Sequence, residues 1–175
     1  RDGSPEEPEF VSQIRYRYQV GNREYGNTHV AFPYTNEAGN RYIFVGDEIF
    51  PPTYDINQPN TVPAGYIHVI DANDIENLEE VAFYEVPQAG AHNLWVEDDV
   101  MYVAYYNAGL RAGDVSGTLR GDLRQQGREI ATLATTDEDA YIENRPFTWG
   151  PQVFKGLVYA SDYTSGLWIT RLRRD

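Results

Sequence analysis

Cysteine is absent from this sequence of 175 residues, so the chain forms no disulfide bond and offers no thiolate to a metal or a substrate. Only three histidines are present, which leaves few residues for general-base catalysis. Neither a G-x-S-x-G nucleophile motif nor a phosphate-binding glycine motif occurs. No apolar run approaches the ~20 residues of a membrane-spanning helix, so the sequence predicts no membrane span.

Basic residues are also scarce, because 14 Lys and Arg stand against 27 Asp and Glu and give a net charge of −13. Such a surface repels the phosphate backbone of nucleic acids and anionic membranes. We therefore predict no nucleic-acid partner. A solvated acidic surface that keeps the protein soluble explains the charge most simply, and a cationic partner or a bound cation is the alternative.

Aromatic residues are abundant, at 14% of the sequence, and 15 Gly and 10 Pro accompany them. Aromatic and β-branched residues suit half-buried strands, while Gly and Pro mark turns. This composition predicts an all-β protein.

Three segments of the chain share one pattern, in which Phe44, Tyr102 and Tyr159 recur at intervals of 58 and 57 residues. The second copy predicts strands at residues 92–96, 100–105, 110–115 and 129–134, joined by short polar turns. Repeats of this length with about four antiparallel strands each are typical of β-propeller blades. The sequence thus predicts a partial β-propeller with units at about residues 28–86, 92–134 and 147–172.

The two ends of the chain do not fit whole blades. The third unit stops after its third strand, and residues 10–20 predict an unaccompanied strand that belongs to a neighbouring blade, after a linker at residues 1–9. Three units are too few for a closed ring. We therefore expect a domain over residues 10–175 that forms the C-terminal part of a larger ring, or half of an assembly that closes between chains.

The second unit resembles the LVIVD repeat of bacterial and archaeal propeller proteins. The residues that carry the resemblance are His92, the strand at residues 100–104, and residues 109–115, which read Gly-Leu-Arg-Ala-Gly-Asp-Val. The other units match less well, since the third has Trp149 in place of His and Thr170 in place of Asp. The resemblance implies a propeller fold and an exported location: extracellular, periplasmic or on the cell surface.

In a propeller, the first residues of the innermost strands meet at the mouth of the central channel. His29, His92 and Trp149 occupy that position in the three units. His29 and His92 would then be candidate ligands of a divalent metal, with Asp47 or Asp162 joining them. The alternative is that each histidine is copied by the repeat for a structural hydrogen bond.

The loop of residues 47–65 is an insertion relative to the other units, and it combines aromatic residues with four prolines. Such a loop predicts either a binding site or a flap packed over its own blade. With the other loops of that end, it supplies these candidate binding residues: His29, Asp47, Glu48, Tyr54, His92, Tyr105, Tyr106, Trp149, Asp162 and Tyr163.

These features favour a non-catalytic binding or scaffold module that engages a protein partner, a glycan or the remaining blades. A metal-dependent enzyme that uses His29 and His92 is the alternative. No cofactor other than a divalent metal is expected.

Overall fold

The computed structural model describes residues 8–16, 18–20, 23–58 and 61–173, and all regular secondary structure in these ranges is β-strand. A short N-terminal hairpin is followed by three sheets that succeed one another along the chain. The predicted all-β class is therefore confirmed for the described residues. These ranges contain no helix long and apolar enough to cross a membrane.

The strands are short and are joined mostly in antiparallel order. They are β1 (Tyr18–Val20), β2 (Arg23–Tyr25), β3 (Thr28–Thr35), β4 (Arg41–Asp47), β5 (Ile67–Asp71), β6 (Glu79–Tyr84), β7 (Leu94–Glu97), β8 (Val100–Ala104), β9 (Leu110–Asp114), β10 (Gly121–Asp122), β11 (Glu129–Leu133), β12 (Thr148–Phe154), β13 (Leu157–Asp162) and β14 (Gly166–Thr170). The sheet orders are β10-β6-β5-β4-β3, β11-β9-β8-β7 and β12-β13-β14. Each of the three predicted units thus corresponds to one sheet, except that β10 of the second unit joins the first sheet.

Two-residue turns join the first and second strands of the second and third sheets. Asp98 and Asp99 have φ angles of 52° and 57°, and Lys155 and Gly156 have φ angles of 51° and 71°. Positive φ at both central residues gives a turn whose twist matches that of the strands it connects. The Asp99 carboxylate also accepts a hydrogen bond from the Tyr34 hydroxyl at 2.8 Å. The turn of the second sheet is therefore fixed by the first sheet.

The main hydrophobic core lies between the first and second sheets. Buried side chains of β4, β5 and β6 meet those of β7 and β8, and Leu119 and Leu123 extend this core beyond β9. Next to Leu123, β10 pairs with β6 in parallel, so the chain returns to the edge of the first sheet before it forms β11. The second sheet contacts its neighbours on both sides, because β7 lies against β3 and β12. The starts of the first strands of all three sheets are consequently close together.

Several sequence predictions need correction. Residues 10–16 form no strand, and Tyr18–Val20 pairs with Arg23–Tyr25 in a hairpin instead of adding to one of the larger sheets. Side-chain contacts fix the preceding segment, since the Tyr16 hydroxyl lies 2.8 Å from Thr28 Oγ1. The second unit has its four predicted strands with slightly shifted ends, but β10 was not predicted. Residues 1–7 of the predicted linker at residues 1–9 lie outside the described residues.

Candidate functional site

Two β-bulges shape the end of the molecule where the first strands meet. The pairing of β3 with β4 shifts its register between Thr28 and Val30, and the pairing of β12 with β13 shifts between Thr148 and Gly150. The extra residue of a bulge leaves the regular ladder, and its side chain is turned in a new direction. These extra residues are His29 and Trp149, two of the three residues that the repeat pattern makes equivalent.

The third equivalent residue, His92, lies between them. The His29 and His92 rings are stacked with their centroids 4.2 Å apart, and the Trp149 ring centroid lies 6.1 Å from that of His92. Close packing of the backbones makes this approach possible, because a Cβ atom added at Gly46 would stand 2.9 Å from the His92 carbonyl oxygen. The predicted convergence of His29, His92 and Trp149 is thus present in the structure.

Glu48 joins the two histidines. Its Oε2 atom lies 3.3 Å from Nδ1 of His29, and its Oε1 atom lies 3.5 Å from Nε2 of His92. The side chains are partly accessible, with exposed fractions of 32% for His29, 25% for Glu48 and 12% for His92. One ligand atom from each residue lies within 4.8 Å of the others, so these three residues could hold a metal ion.

Two neighbours orient this cluster. The Tyr106 hydroxyl donates a hydrogen bond to Oε1 of Glu48, and Nδ1 of His92 donates one to the Trp149 carbonyl oxygen. Burial, reinforced by the hydrogen bond to Glu48, raises the pKa of Tyr106. Burial also lowers the pKa of His92; the neighbouring His29 acts in the same direction, whereas the Trp149 carbonyl and Glu48 oppose it. His92 is therefore biased towards the neutral form, whose unprotonated nitrogen can bind a metal.

An exposed group of aromatic rings adjoins the cluster on the side of the third sheet. The Trp149 and Tyr163 rings are stacked 5.5 Å apart, and Tyr141 meets Tyr163 edge-on at 6.3 Å. The residues are 42%, 51% and 77% exposed for Trp149, Tyr163 and Tyr141 respectively. We call Tyr141, Trp149 and Tyr163 the aromatic patch.

The loop of residues 47–65 packs onto the protein beside this patch. Its Phe50 ring contacts Tyr54 at 4.8 Å and Tyr106 at 5.3 Å, and the Tyr54 ring stacks on Phe147 at 6.2 Å. Burial raises the pKa of Tyr54 to about 12. Gly65 ends the loop with a φ of 110°, and a Cβ atom there would collide with the Asp47 carbonyl oxygen. The loop is thus packed against the protein, but its rings contact Tyr106 of the second unit and Phe147 of the third and do not form a flap over their own sheet.

Four of the predicted binding residues are buried: Asp47, Tyr105, Asp162 and Tyr106, the last of which reaches Glu48 with its hydroxyl. Asp47 is fully buried, and Asp162 accepts hydrogen bonds from Thr135 Oγ1 at 2.6 Å and the Phe147 amide at 2.8 Å. Those bonds lower the pKa of Asp162 although burial opposes them. Tyr105 is also buried, and its hydroxyl bonds the Tyr84 carbonyl at 3.2 Å. We therefore exclude Asp47, Tyr105 and Asp162 from the candidate site, and Glu48 takes the place that the sequence analysis gave to Asp47 or Asp162.

The remaining histidine, His68, forms a second and separate site. Its Nε2 atom lies 3.1 Å from Asp47 Oδ2, and its Nδ1 atom lies 2.7 Å from Glu80 Oε1. The side chains of His68 and Asp47 are both inaccessible to solvent. Both ring nitrogens of this mid-strand histidine therefore have a carboxylate partner.

Comparison with known proteins gives no further guide to the site, since no family model matches the sequence and no curated protein matches it.

Proposed function

We propose that the chain is part of a β-propeller that acts as a non-catalytic binding module through the aromatic patch. Three observations support a propeller fold: the three sheets are consecutive in the chain, the sequence repeats, and the first strand of the second sheet, β7, contacts the first strands of the other two sheets. The LVIVD resemblance and the exported location remain predictions within this proposal.

The aromatic patch is the observation that carries the binding function. Tyr and Trp contribute a large share of the binding free energy at protein interfaces, since they bury much area and lose little rotamer freedom. Large aromatic side chains that are about half exposed or more, and that contact each other, are typical of a surface that another molecule covers. The stacking of Trp149 on Tyr163 and the edge contact with Tyr141 mean that little ordering would be needed on binding.

The charge around the patch indicates the kind of partner. Tyr141 lies in a loop whose acidic residues Asp137, Glu138, Asp139 and Glu143 are all exposed, and the whole chain carries a net charge of −13. Arg and Lys are attracted both by such a rim and by the faces of aromatic rings. We propose a protein partner that presents Arg or Lys side chains to the patch.

Binding of model ligands tests this proposal. The probes are a short peptide of Arg and Ser, the same peptide with Glu in place of Arg, and a neutral β-1,4-linked glucose oligomer. We expect the Arg peptide to shift the NMR signal of the Trp149 indole N–H and to bind more weakly as salt is raised. Replacing Trp149 and Tyr163 together by Ala should weaken binding at least about 10-fold, which corresponds to about 1.4 kcal/mol.

The matched control is Phe154→Ala, because Phe154 is an aromatic residue at the other end of β12 and is 59% exposed. This variant should bind the Arg peptide as the unmutated protein does. Tight binding of the glucose oligomer instead of the peptide would replace the protein partner by a glycan. Equal loss of binding in both variants would rule out the aromatic patch as the site.

A further inference from the structure

We infer that His29, Glu48 and His92 bind a divalent transition-metal ion of the zinc class. This inference does not depend on the binding function proposed above, because it uses different side chains and a different ligand.

The spacing of the ligand atoms suits a single ion. Two ligand atoms that are each bound at about 2.0–2.2 Å to one ion lie about 3.0–3.5 Å apart, for bond angles between octahedral and tetrahedral values. The observed separations from the Glu48 carboxylate are 3.3 Å to His29 Nδ1 and 3.5 Å to His92 Nε2. One ligand atom from each of the three residues lies within 4.8 Å of the others, so the side chains would have to move somewhat closer together to bind one ion.

The contacts behind the ligands also match those of metal sites. A histidine that binds a metal through one nitrogen almost always donates its other N–H to a carbonyl or a carboxylate, which fixes the ring and its tautomer. Nδ1 of His92 makes such a bond to the Trp149 carbonyl, which leaves Nε2 turned towards Glu48. The Tyr106 hydroxyl holds the Glu48 carboxylate in the same way. These two bonds place ligand atoms where an ion can reach them.

The repeat argues against a purely structural role for the cluster. The third unit has Trp149 where the others have histidine, and it has Tyr163 at the position that corresponds to Glu48. Its bulge and strand pairing form nonetheless. Since the third unit needs neither histidine nor glutamate at these positions, the two histidines and the carboxylate of the cluster are not required by the repeat.

The ligand set indicates the class of ion. Two imidazoles and one carboxylate suit zinc and neighbouring divalent transition metals, whereas calcium and magnesium prefer oxygen ligands alone. Three protein ligands leave at least one coordination position open, and the exposed side of His29 makes that position reachable from solvent.

Metal titration of the chelator-treated protein tests the inference. Calorimetry with Zn²⁺ should give one ion per chain, and Co²⁺ should give visible absorption bands that report nitrogen and oxygen ligands. Glu48→Gln and His92→Ala should each weaken Zn²⁺ binding at least about 100-fold, and Tyr106→Phe, which removes only the supporting hydroxyl, about 10–100-fold. Ca²⁺ should not compete with Zn²⁺.

Asp139→Asn is the matched control, since it removes an exposed carboxylate of the acidic loop and leaves the cluster intact. It should bind Zn²⁺ with unchanged affinity, and the urea midpoint of each variant shows whether that variant is folded. Zn²⁺ binding that Glu48→Gln and His92→Ala leave unchanged, or that Ca²⁺ displaces, would overturn the inference and indicate a general attraction of cations to the acidic surface. The absence of Zn²⁺ binding at millimolar concentration would also overturn it.

Discussion

The protein contains two sites in which a histidine contacts a carboxylate, and two adjacent residues, Asp47 and Glu48, supply one carboxylate to each site. Asp47 ends β4 and points into the interior, where it contacts His68. Glu48 follows it and points the other way, where it contacts His29 and His92. Successive side chains of an extended segment alternate in direction, so neighbouring carboxylates reach two different environments. The same chemical groups therefore form a closed interior site and an open surface site.

The interior site satisfies its histidine on both sides. Each ring nitrogen of His68 faces a carboxylate, and the Tyr16 and Tyr66 rings cover it with centroids at 4.0 Å and 4.3 Å. At the surface site, two histidines share one carboxylate and keep contact with solvent. A closed arrangement stabilises the fold, whereas an open one leaves ligand atoms available, and the comparison assigns structure to the first site and binding to the second.

Removal of the buried histidine should have the largest effect. We expect His68→Ala to lower the free energy of unfolding by about 3–5 kcal/mol, because it leaves the buried Asp47 carboxylate without its partner. Asp47 is poorly placed to find another one, since no group bonds its Oδ1 atom within the described structure. Urea unfolding followed by circular dichroism measures the change. A loss below about 1 kcal/mol, typical of exposed pairs, would show that the interior site contributes no more than a surface pair does.

The pH dependence of stability separates the two sites further. Burial lowers the pKa of His68, but the hydrogen bonds to Asp47 and Glu80 outweigh it, so the pKa lies above its ordinary value of 6.5. The stabilisation is then complete below about pH 6.5 and declines by up to about 1.4 kcal/mol per pH unit as the pH rises towards the folded-state pKa. Burial raises the pKa of Tyr16 above its ordinary value of 10.0 and raises the pKa of Tyr66 to about 12, so neither tyrosine ionises in this pH window.

Urea unfolding at several pH values, together with an NMR titration of the His68 ring, measures this effect. The ring should titrate above pH 6.5 in the folded protein, and His68→Gln should remove the decline in stability. A ring that titrates below 6.5 would mean that burial dominates, and the interior site would then destabilise the protein in acid.

The sequence predicts the features that repeat and misses those that depend on a single contact. Alternating aromatic and β-branched residues fix the all-β class, and the aligned copies predict that His29, His92 and Trp149 lie together. The partner of the histidines was predicted wrongly, because Asp47 and Glu48 are neighbours and only the register of β4 decides which of them faces outward. Glu48 was a candidate binding residue, and the alternation of side chains along the strand was the signal that could have identified it as the partner of the histidines.

Other errors have a similar cause. The strand predicted at residues 10–20 was based on a pattern like that of a blade's fourth strand, but tertiary contacts such as that between Tyr16 and Thr28 hold residues 10–16 in another conformation. The short strand β10 arises because Leu123 enters the core of the first sheet, which no local pattern reveals. The aromatic patch was predicted in part, since Trp149 and Tyr163 were candidates and Tyr141 was not among them.

Removal of an exposed histidine should have the smallest effect. In metal-free protein, His29→Ala should change the free energy of unfolding by less than about 1 kcal/mol, because a partly exposed pair with Glu48 is screened by solvent. Urea midpoints of His29→Ala and His68→Ala, measured under the same conditions, compare the two sites directly. A loss of stability in His29→Ala as large as that in His68→Ala would contradict the assignment of an open binding site at the surface. Zinc at about 100 times its dissociation constant should then stabilise the unmutated protein by about 2.7 kcal/mol and the variant much less. A residue that contributes little to the free fold and much to the metal-bound one is a ligand, and His29 should behave in this way while His68 does not.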